Sequence, residues 1–419
     1  MRTLSSYLLG SWQPGTVDRT TALLNPATEE PLAEVGKATG LDKAVAYARD
    51  VGGPALRAKS FGERGAMLKQ MAGLLHEHRE ELISVSIQSG GTTRGDAKFD
   101  IDGATGVLAT YARLARELGD QPWIVVDEPA TLVRTSKIRA QHVLVPRHGV
   151  AIHINAFNFP AWGMIGKLAV SVLAGMPVVS KPGTSTSLLA HRIAELIVEA
   201  KILPEGAFSL LMGSAGDLLD HVGPQDVIAF TGSAYTGALI RGHACVVGQN
   251  VRVNIEADSV NAAIAGPDLS PDSELFDLFI RDCVTEITQK AGQKCTATRR
   301  ILVPSAILED VQEELVERLD ERAGQTGNPA TKGVKMGPLA TKRQLEDARE
   351  GLKKLTKDAP IVRGNPERGE FIDVDPGKGY FLEPILLRAT PEAALNGGSQ
   401  FHQTEVFGPV STLLPYDGT

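Results

Sequence analysis

The sequence predicts an α/β fold with a parallel sheet and a second α/β region, and three observations support this prediction. Between Val150 and Ile255, short apolar segments rich in β-branched residues alternate with amphipathic helical segments. Such alternation is typical of a parallel sheet covered by helices on both faces. The same alternation of strand-like and helical segments resumes after Glu256. At 419 residues the chain is also too long for one hydrophobic core, so two or three domains are expected.

Local patterns predict the individual elements. Ser60 and Glu63 form a capping-box pair, and apolar residues at helical spacing continue from there to about Ile87. A second helical region is predicted to begin near Asp102. Residues 130–147 interleave apolar and charged side chains, which predicts a half-exposed hairpin that could serve as an arm between subunits. The elements predicted for the parallel sheet are strands Val150–Ile154, Pro177–Ser180, Ser209–Met212, Val227–Phe230 and Val251–Ile255, helices Ala161–Ala174 and Ser187–Ala200, and helical stretches around Leu218 and Leu239.

Composition and charge narrow the function. The formal net charge of −7 disfavours a nucleic-acid partner, which would require a basic face. No apolar run is long enough to span a membrane, and the N-terminus lacks the pattern of a signal peptide, so a cytoplasmic protein is expected. The odd, sparse set of three cysteines disfavours a disulfide framework. His76 and His78 lie in a charged helical segment without a third ligand nearby, so no metal site is expected.

Cys295 is the first candidate for chemistry. It lies in KAGQKCTAT, where the flanking small and hydroxylated residues predict a tight loop that holds the thiol near a helix start. Such a position lowers the pKa of a thiol, and the thiolate is the nucleophilic form. The alternative is a packed cysteine such as Cys283, which lies on the apolar stripe of a helix predicted over Ser273–Lys290.

Two further polar residues follow predicted strands. Glu256 ends the strand VRVNIE, and burial there would raise its pKa and suit it to general-base catalysis. An ion-paired or helix-capping glutamate is the alternative. Asn158 lies between a strand and a helix in NAFNFPAWGM, where its amide could donate to a developing oxyanion. A turn or N-cap asparagine is the alternative there.

The segment FTGSAYTG predicts a strand, a glycine turn and a helix. Gly232 and Gly237 permit a close backbone approach, and Ser233 with the helix N–H groups could face an anion. No G-x-G-x-x-G motif occurs in the chain, so this is a weak phosphate signal by itself. Lys181 follows the strand PVVS and could contact ribose or phosphate oxygens, although a surface lysine is the default interpretation.

In this order, Asn-Phe-Pro, Lys-Pro, FTGS, a strand-end Glu, GQxC and E-x-F-G-P resemble the aldehyde dehydrogenase superfamily. Six ordered motifs across about 250 residues are far more specific than any one of them. The resemblance implies an aldehyde dehydrogenase-like fold, in which a Rossmann-type dinucleotide-binding domain (residues 1–129 and 148–255) carries an oligomerisation arm (130–147). A catalytic domain would occupy residues 256–419 and, in the family, continues beyond the position matching the last residue of this chain.

The same resemblance implies the roles of the catalytic residues. Cys295 matches the nucleophile, and Asn158 matches the amide that completes an oxyanion hole with the Cys295 backbone N–H. Glu256 matches the base that activates the deacylating water. Lys167, nine residues after Asn158, matches a lysine of a proton path.

It also implies an NAD(P) site. Lys181 matches the adenosine-ribose contact, Ser233 the pyrophosphate contact, Glu405 the nicotinamide-ribose ligand and Phe407 a residue beside the nicotinamide. Thr184 stands where many NAD-specific members have a glutamate that would repel a 2′-phosphate, so NADP is predicted as the preferred cofactor, with NAD as the alternative. The remaining predicted cofactor contacts are Ile154, Gly213, Gly232 and Gly237.

The chain departs from the common family pattern in two places. The segment E-A-D-S-V-N replaces E-L-G-G-K, and Ala156-Phe157 replaces Pro-Trp before Asn-Phe-Pro. The strings HINAFNFPAWGM, GSAGDLLDH, EADSVN and AGQKCTATRR resemble a subgroup that acts in phenylacetate and benzoyl-CoA degradation. The subgroup oxidises aldehydes whose far end carries a CoA thioester, which implies a CoA-linked small-molecule substrate and a homo-oligomeric enzyme.

Three rival classes share the fold. CoA-acylating aldehyde dehydrogenases and enzymes of the glutamyl-phosphate-reductase type lack the water-activating glutamate, so Glu256 favours hydrolysis of the thioester. A catalytically silent structural member could lose its active-site residues, whereas Cys295, Glu256 and Asn158 are all present. Production of NAD(P)H from an aldehyde without added free CoA discriminates among the classes.

Overall fold

A computed structural model describes residues 2–134, 137–367 and 369–418. The chain divides into two compact units. The first contains Met1–Leu23, Ala33–Leu82 and Lys98–Ala257, and the second contains Leu24–Leu32, Ile83–Ala97 and Asp258–Thr419. Two short N-terminal segments that the sequence analysis assigned to the first domain therefore group with the second unit. Contacts distant in sequence explain this, for example the hydrogen bond from the Tyr380 N–H to the Pro26 carbonyl.

The strands are numbered in chain order. Their bounds are β1 Thr3–Leu4, β2 Ser6–Leu8, β3 Ser11–Gln13, β4 Thr16–Leu24, β5 Pro31–Lys37, β6 Ile124–Val125, β7 Ala130–Thr131, β8 Arg139–Ala140, β9 Val143–Leu144, β10 Ala151–Ile154, β11 Val178–Lys181, β12 Phe208–Leu210, β13 Val227–Gly232, β14 Arg252–Ala257, β15 Asn261–Ile264, β16 Thr298–Pro304, β17 Ile361–Arg363, β18 Ile385–Arg388 and β19 Val410–Tyr416.

The helices are numbered in the same way. Their bounds are α1 Leu41–Tyr47, α2 Gly53–Arg57, α3 Phe61–Glu77, α4 Arg79–Gly90, α5 Arg94–Leu118, α6 Trp162–Leu173, α7 Ser187–Glu199, α8 Ala234–Arg241, α9 Ala244–Gly248, α10 Glu274–Thr288, α11 Leu308–Ala323, α12 Lys342–Leu355, α13 Pro391–Leu395 and α14 Gln400–Gln403. A π-helical turn at Ala48–Gly52 links α1 to α2, and 3₁₀ turns lie at Thr184–Thr186, Leu218–His221, Gln289–Gly292 and Ser305–Ile307.

The first unit is built on a seven-stranded sheet of order β14-β13-β10-β11-β12-β2-β3. Its five strands from β10 to β14 are parallel, and β2 joins antiparallel to β12. The direction of winding reverses between β10 and β13, because β11 and β12 extend the sheet to one side and β13 and β14 to the other. Ligands of such sheets bind outside the carboxyl ends of the strands at this reversal.

The elements predicted for this sheet are confirmed to within about two residues, and the Ser60–Glu63 capping box is present. Two helix predictions are wrong in detail. The helical region from Ser60 breaks at His78 into α3 and α4, and the next helix begins at Arg94 rather than near Asp102.

The second unit contains a five-stranded sheet of order β15-β16-β19-β18-β17, in which only β17 is antiparallel to its neighbour. One core cluster joins α10 and α11 to β16 and β19, and a second joins α12 to β18. Cys283 lies in the first of these clusters, so its interpretation as a core cysteine is confirmed.

The arm predicted at 130–147 contains the antiparallel pair β7 with β8 and strand β9, which pairs with β6 at Ile124–Val125, so the paired segment begins before the predicted bound. Residues 135 and 136 of the prediction lie outside the described residues. Its apolar side chains are exposed, among them Leu132, Ile138, Leu144 and Val145. Within the described ranges, no helix is both long and apolar enough to cross a membrane.

Candidate active site

The strand ends of the first unit carry most of the predicted site residues. Ile154 is the last residue of β10, Lys181 of β11 and Gly232 of β13, while Glu256 lies one residue before the end of β14. Parallel strands direct these ends to one edge of the sheet, and β10 and β13 flank the reversal of winding. The predicted cofactor and catalytic residues of this unit therefore share the edge where such sheets bind ligands.

Asn158 lies in the loop between β10 and α6, and the N-cap of α6 is Ala161, so Asn158 does not cap that helix. The buried carboxylate of Asp100 accepts the N–H groups of Ala161 at 3.2 Å and Trp162 at 2.8 Å. The Thr186 hydroxyl donates to the Phe157 carbonyl at 2.7 Å. Anchors on both sides of Asn158 therefore limit the movement of its loop.

Glu256, Thr231 and Lys167 form a chain of hydrogen bonds. Thr231 and Glu256 are direct partners in the β13–β14 pairing, and the Thr231 hydroxyl donates to Glu256 Oε2 at 3.3 Å. Lys167 Nζ donates to the same hydroxyl oxygen at 2.9 Å. Burial lowers the pKa of Lys167, and the Glu256 carboxylate partly offsets this. A lysine with a lowered pKa, linked to a carboxylate through one hydroxyl, is a feasible route for a proton.

The expectation that Glu256 ends a buried strand is wrong. Strand β14 is at the edge of the sheet, and exposed and half-buried residues alternate along it, with Glu256 among the exposed ones. The alternation of Arg252, Asn254 and Glu256 with apolar neighbours has the period of two that is typical of a half-exposed strand. Thr231 and Lys167, rather than burial, provide the polar surroundings of this carboxylate.

The lysine and threonine proposed for the cofactor's adenosine ribose lie together. Lys181 Nζ is 3.4 Å from Thr184 Oγ1, and burial lowers the pKa of the lysine. Thr184 begins a 3₁₀ turn, and Gly183 before it has backbone atoms of Phe157 so close that a Cβ would overlap them. A half-buried cation among hydroxyl groups is suited to ribose and phosphate oxygens, so these residues fit a dinucleotide.

Ser233 caps the N-terminus of α8, and its hydroxyl accepts the Thr236 N–H at 3.3 Å. A Cβ on Gly232 would lie 2.5 Å from the Phe230 ring and one on Gly237 2.8 Å from Ile255, so a side chain at either position would displace its neighbour. The exposed strand–turn–helix junction matches the geometry of a phosphate site. Gly213 has φ +78° and approaches the Gly36 carbonyl, so the fold itself requires glycine there.

In the second unit, Cys295 lies in a turn between the 3₁₀ segment Gln289–Gly292 and strand β16. The tight loop is present, but the prediction that it lies near a helix start is wrong, because the chain continues from the turn into a strand. The Cys295 carbonyl accepts hydrogen bonds from Ser259 Oγ at 2.9 Å and from Asn261 Nδ2 at 2.7 Å. Both donors come from EADSVN, the segment that departs from the common family pattern. That departure therefore supplies the groups that hold the cysteine's backbone.

The residues before Cys295 form a left-handed turn. Lys290 and Ala291 have φ of +53° and +51°, and Gly292 follows with +68°. This conformation costs about 1–2 kcal/mol for each residue that has a Cβ. Asp96 stabilises the turn by accepting the Lys290 backbone N–H, and Thr93 donates its hydroxyl to the same carboxylate at 2.7 Å. Burial raises the pKa of Asp96, which the nearby Lys290 charge partly offsets.

Glu405 and Phe407 lie near Arg299 in this unit. Burial raises the pKa of Glu405, and the Arg299 guanidinium, 3.7 Å from one carboxylate oxygen, opposes that increase. The other oxygen accepts the Ser259 N–H at 3.4 Å. The guanidinium carbon lies 5.6 Å from the centre of the Phe407 ring, within range of a cation–π contact. A half-buried carboxylate fits the hydroxyl groups of a nucleotide ribose.

The two cysteines of this unit differ in their surroundings. Cys295 is exposed in its turn, whereas Cys283 is buried in α10. Burial, with Asp282 and Glu286 nearby, raises the pKa of the Cys283 thiol to about 12. The thiolate is the nucleophilic form, so Cys283 is unsuited to attack at neutral pH.

Sequence reasoning missed several residues of these sites. Thr231 lies in FTGS, two residues before Ser233, and its place opposite the strand-end glutamate was the available signal. Asp100, Ser259, Asn261 and Arg299 act through partners far away in sequence, so no local pattern indicated them.

The fold is α/β, its strand-end and loop residues fit a dinucleotide, and an exposed cysteine lies in the second unit. The sequence profile of the Aldehyde dehydrogenase family matches residues 12–419, and the chain belongs to that family. It is therefore an oxidoreductase that acts on aldehydes.

Among its relatives, the 3,4-dehydroadipyl-CoA semialdehyde dehydrogenase of Aromatoleum evansii is 44% identical over 419 residues, or 99% of this chain and 80% of that protein. Among solved structures, betaine aldehyde dehydrogenase of Staphylococcus aureus in complex with NAD+ superposes with a TM-score of 0.85 at 24% identity, covering 99% of this chain and 78% of that one. The C291A mutant of aldehyde dehydrogenase C from Pseudomonas syringae, complexed with NAD+ and octanal, gives 0.83 at 24% identity, with 99% and 80% covered. These two likenesses show the fold.

Proposed function

We propose that this enzyme oxidises an aldehyde that carries a CoA thioester at its far end to the corresponding carboxylic acid. One observation carries the proposal, namely the 44% identity over 99% of the chain to 3,4-dehydroadipyl-CoA semialdehyde dehydrogenase. The subgroup strings around Asn158, Glu256 and Cys295 belong to the same resemblance. A place in aromatic-compound degradation and assembly through the exposed arm at 130–147 remain predictions.

In the proposed mechanism, the Cys295 thiolate attacks the aldehyde carbon, and the Asn158 amide with the Cys295 backbone N–H stabilises the oxyanion. The nicotinamide, when bound, supplies the hydride acceptor. The resulting thioester is hydrolysed by water that Glu256 deprotonates. The neutral amine of Lys167, which its lowered pKa favours, then accepts the proton from Glu256 through the Thr231 hydroxyl and afterwards releases it to solvent.

The substrate proposal is tested by comparing kcat/KM for a CoA-linked semialdehyde with that for a simple aliphatic aldehyde of equal chain length, without free CoA. We expect the CoA-linked substrate to be preferred and the products to be NAD(P)H and the acid. A simple aldehyde turned over equally well would overturn the CoA assignment and leave the aldehyde dehydrogenase activity intact. A strict requirement for free CoA would instead indicate thioester transfer.

For the cofactor, we propose a preference for NADP. Thr184 with Lys181 offers a hydroxyl and a cation where a glutamate would repel a 2′-phosphate. Thr184→Glu should remove most of the NADP preference, measured as the ratio of kcat/KM for NADP and NAD with one aldehyde. Thr184→Gln, of similar size but uncharged, is the matched control and should retain more of it. A parent enzyme that prefers NAD would contradict the proposal.

A further inference from the structure

Two segments of the second unit approach each other closely. The nucleophile loop, residues 292–297, contains Cys295, and the ribose loop, residues 404–408, contains Glu405. A Cβ on Gly292 would lie 2.2 Å from the Gly408 carbonyl oxygen, so the two backbones are in direct contact there. The side chain of Gln293 also reaches the Phe407 carbonyl, with its Nε2 at 3.4 Å.

The guanidinium of Arg299 joins these two loops. It donates to the Gly408 carbonyl at 2.7 Å and to the Gly292 carbonyl at 2.8 Å, and a longer bond of 3.4 Å reaches the Lys294 carbonyl. The same group lies 3.7 Å from the Glu405 carboxylate. One side chain therefore contacts both loops and the carboxylate that is proposed to bind the cofactor's ribose.

An arginine is required for this set of contacts. Its planar guanidinium presents several N–H donors in fixed directions, whereas a lysine presents one compact cation. The side chain of Arg299 is only 4% exposed, and burial lowers its pKa to about 10, partly offset by Glu405. It therefore stays protonated at neutral pH, and its charge has Glu405 as the ion-pair partner.

Ser259 provides a second connection between the same groups. Its backbone N–H donates to Glu405 Oε2 at 3.4 Å, and its hydroxyl donates to the Cys295 carbonyl at 2.9 Å. A shift of the Glu405 carboxylate would therefore reach the nucleophile loop through Arg299 and through Ser259.

We propose that Arg299 is a positioning residue that couples cofactor binding at Glu405 to the placement of the Cys295 thiol. The coupling rests on the proposed roles of Glu405 and Cys295. When ribose hydroxyls donate to Glu405, the carboxylate shares its charge with them and attracts the guanidinium less strongly. The guanidinium then bonds the carbonyls of Gly292 and Lys294 more closely, and the loop that carries Cys295 moves with them.

The test measures alkylation of Cys295 by iodoacetamide, followed by peptide mass spectrometry, with and without saturating NAD(P)+ and without aldehyde. In the parent enzyme the cofactor should change the Cys295 rate constant by roughly fivefold or more, at the lower end of typical coupling between sites. In Arg299→Lys the ratio should approach one. In Ser259→Ala the ratio should move only part of the way toward one, because the connection through Arg299 remains.

Arg300→Lys is the matched control. Arg300 is the neighbouring residue, and its guanidinium contacts the Val260 carbonyl at 2.6 Å and His402 Nδ1 at 3.2 Å, both outside the two loops. Its ratio should equal that of the parent. A parent rate unaffected by cofactor, or a folded Arg299→Lys variant with the parent's ratio, would overturn the proposal. If Arg299→Lys does not fold, an unchanged ratio in Ser259→Ala overturns it.

Two further variants separate this proposal from the proposed function. If Glu405→Gln binds NAD(P)+ as tightly as the parent in a fluorescence titration, the ribose role of Glu405 is wrong. If Cys295→Ala still oxidises aldehyde, the nucleophile is wrong. When both assignments hold, any of the outcomes named above for the parent, Arg299→Lys or Ser259→Ala overturns the coupling proposal alone and leaves the proposed function intact.

Discussion

The predicted base and the predicted nucleophile are held in different ways. Glu256 lies on β14, where backbone pairing to β13 sets its position and places it opposite Thr231. Cys295 lies in a turn, where its carbonyl is fixed by the side chains of Ser259 and Asn261. A strand-end residue is thus positioned by the backbone of its sheet, whereas a loop residue needs side-chain donors from elsewhere in the sequence. Substitutions around the two should therefore have different effects.

The largest effect is expected at the thiol. Cys295→Ala should abolish aldehyde oxidation and leave NAD(P)+ binding nearly unchanged, because the thiol would contact the substrate and not the dinucleotide. Steady-state assays and a binding titration measure both quantities. Cys283→Ala is the control, and it should cost stability because Cys283 is buried in the core, with little loss of kcat. Reversed results for the two cysteines would contradict the assignment.

The second effect concerns the base. Glu256→Gln keeps the shape of the side chain and removes its charge, and loss of one positioned base typically costs about 10²–10⁴-fold. Deacylation should slow far more than hydride transfer, so a pre-steady-state burst of NAD(P)H should survive while steady turnover falls. Equal losses in the burst rate and the steady-state rate would show that Glu256 does not act on the thioester.

A smaller effect is expected at Thr231. Thr231→Val removes the hydroxyl between Lys167 and Glu256, and the loss of one hydrogen bond in that chain should lower kcat roughly tenfold. Thr231→Ser retains the hydroxyl and should recover most of the activity. If valine and serine behaved alike, the β13–β14 pairing alone would suffice for Glu256, and the proton would take another route.

The smallest effect concerns stability against pH. His153 is buried in β10, and burial, with Lys167 nearby, lowers its pKa from 6.5 to about 3. The unfolded chain therefore binds a proton below about pH 6.5 that the folded chain does not bind. The contribution of His153 to the free energy of unfolding should therefore be fully present above pH 6.5. It should decrease as the pH falls toward 3, by up to about 1.4 kcal/mol per pH unit.

Urea unfolding of the parent and of His153→Asn at pH 7.5 and 5 measures this slope. The variant should show a shallower dependence, although His191, whose pKa is also lowered by burial, leaves part of it. His148→Asn at an exposed position is the control and should keep the slope of the parent. An unchanged slope in His153→Asn would mean that this histidine is protonated in the folded protein.

The sequence predicted those elements that are determined by residues close together in the chain. The alternating apolar segments predicted β10 to β14 because the apolar and β-branched residues that favour each strand lie within that strand itself. The start of α5 at Arg94 was also encoded locally, because Thr93 and Asp96 exchange the hydrogen bonds of a capping box. The exposure of Glu256 was likewise readable from the alternation in VRVNIE, although the strand was interpreted as buried.

The remaining contacts could not be predicted from the sequence, because they join residues that are far apart in the chain. Arg299 contacts the ribose loop more than a hundred positions later in the chain, and no pattern around AGQKCTATRR indicates those partners. Asp96 supports the turn before Cys295 from a segment that the sequence analysis placed in the other domain. Side-chain donors to backbone carbonyls leave no periodic signal in a sequence, so only the structure reveals them.

The close approach of Gly292 to the Gly408 carbonyl has an evolutionary consequence. Any side chain at position 292 would overlap that oxygen, and the left-handed backbone there disfavours other residues as well. A viable replacement would require the ribose loop to retreat, which would also break the bond from Arg299 to Gly408. The two glycine-containing loops are therefore expected to change together in evolution. A homologue that lacks glycine at the position of Gly292 should also have a different ribose loop.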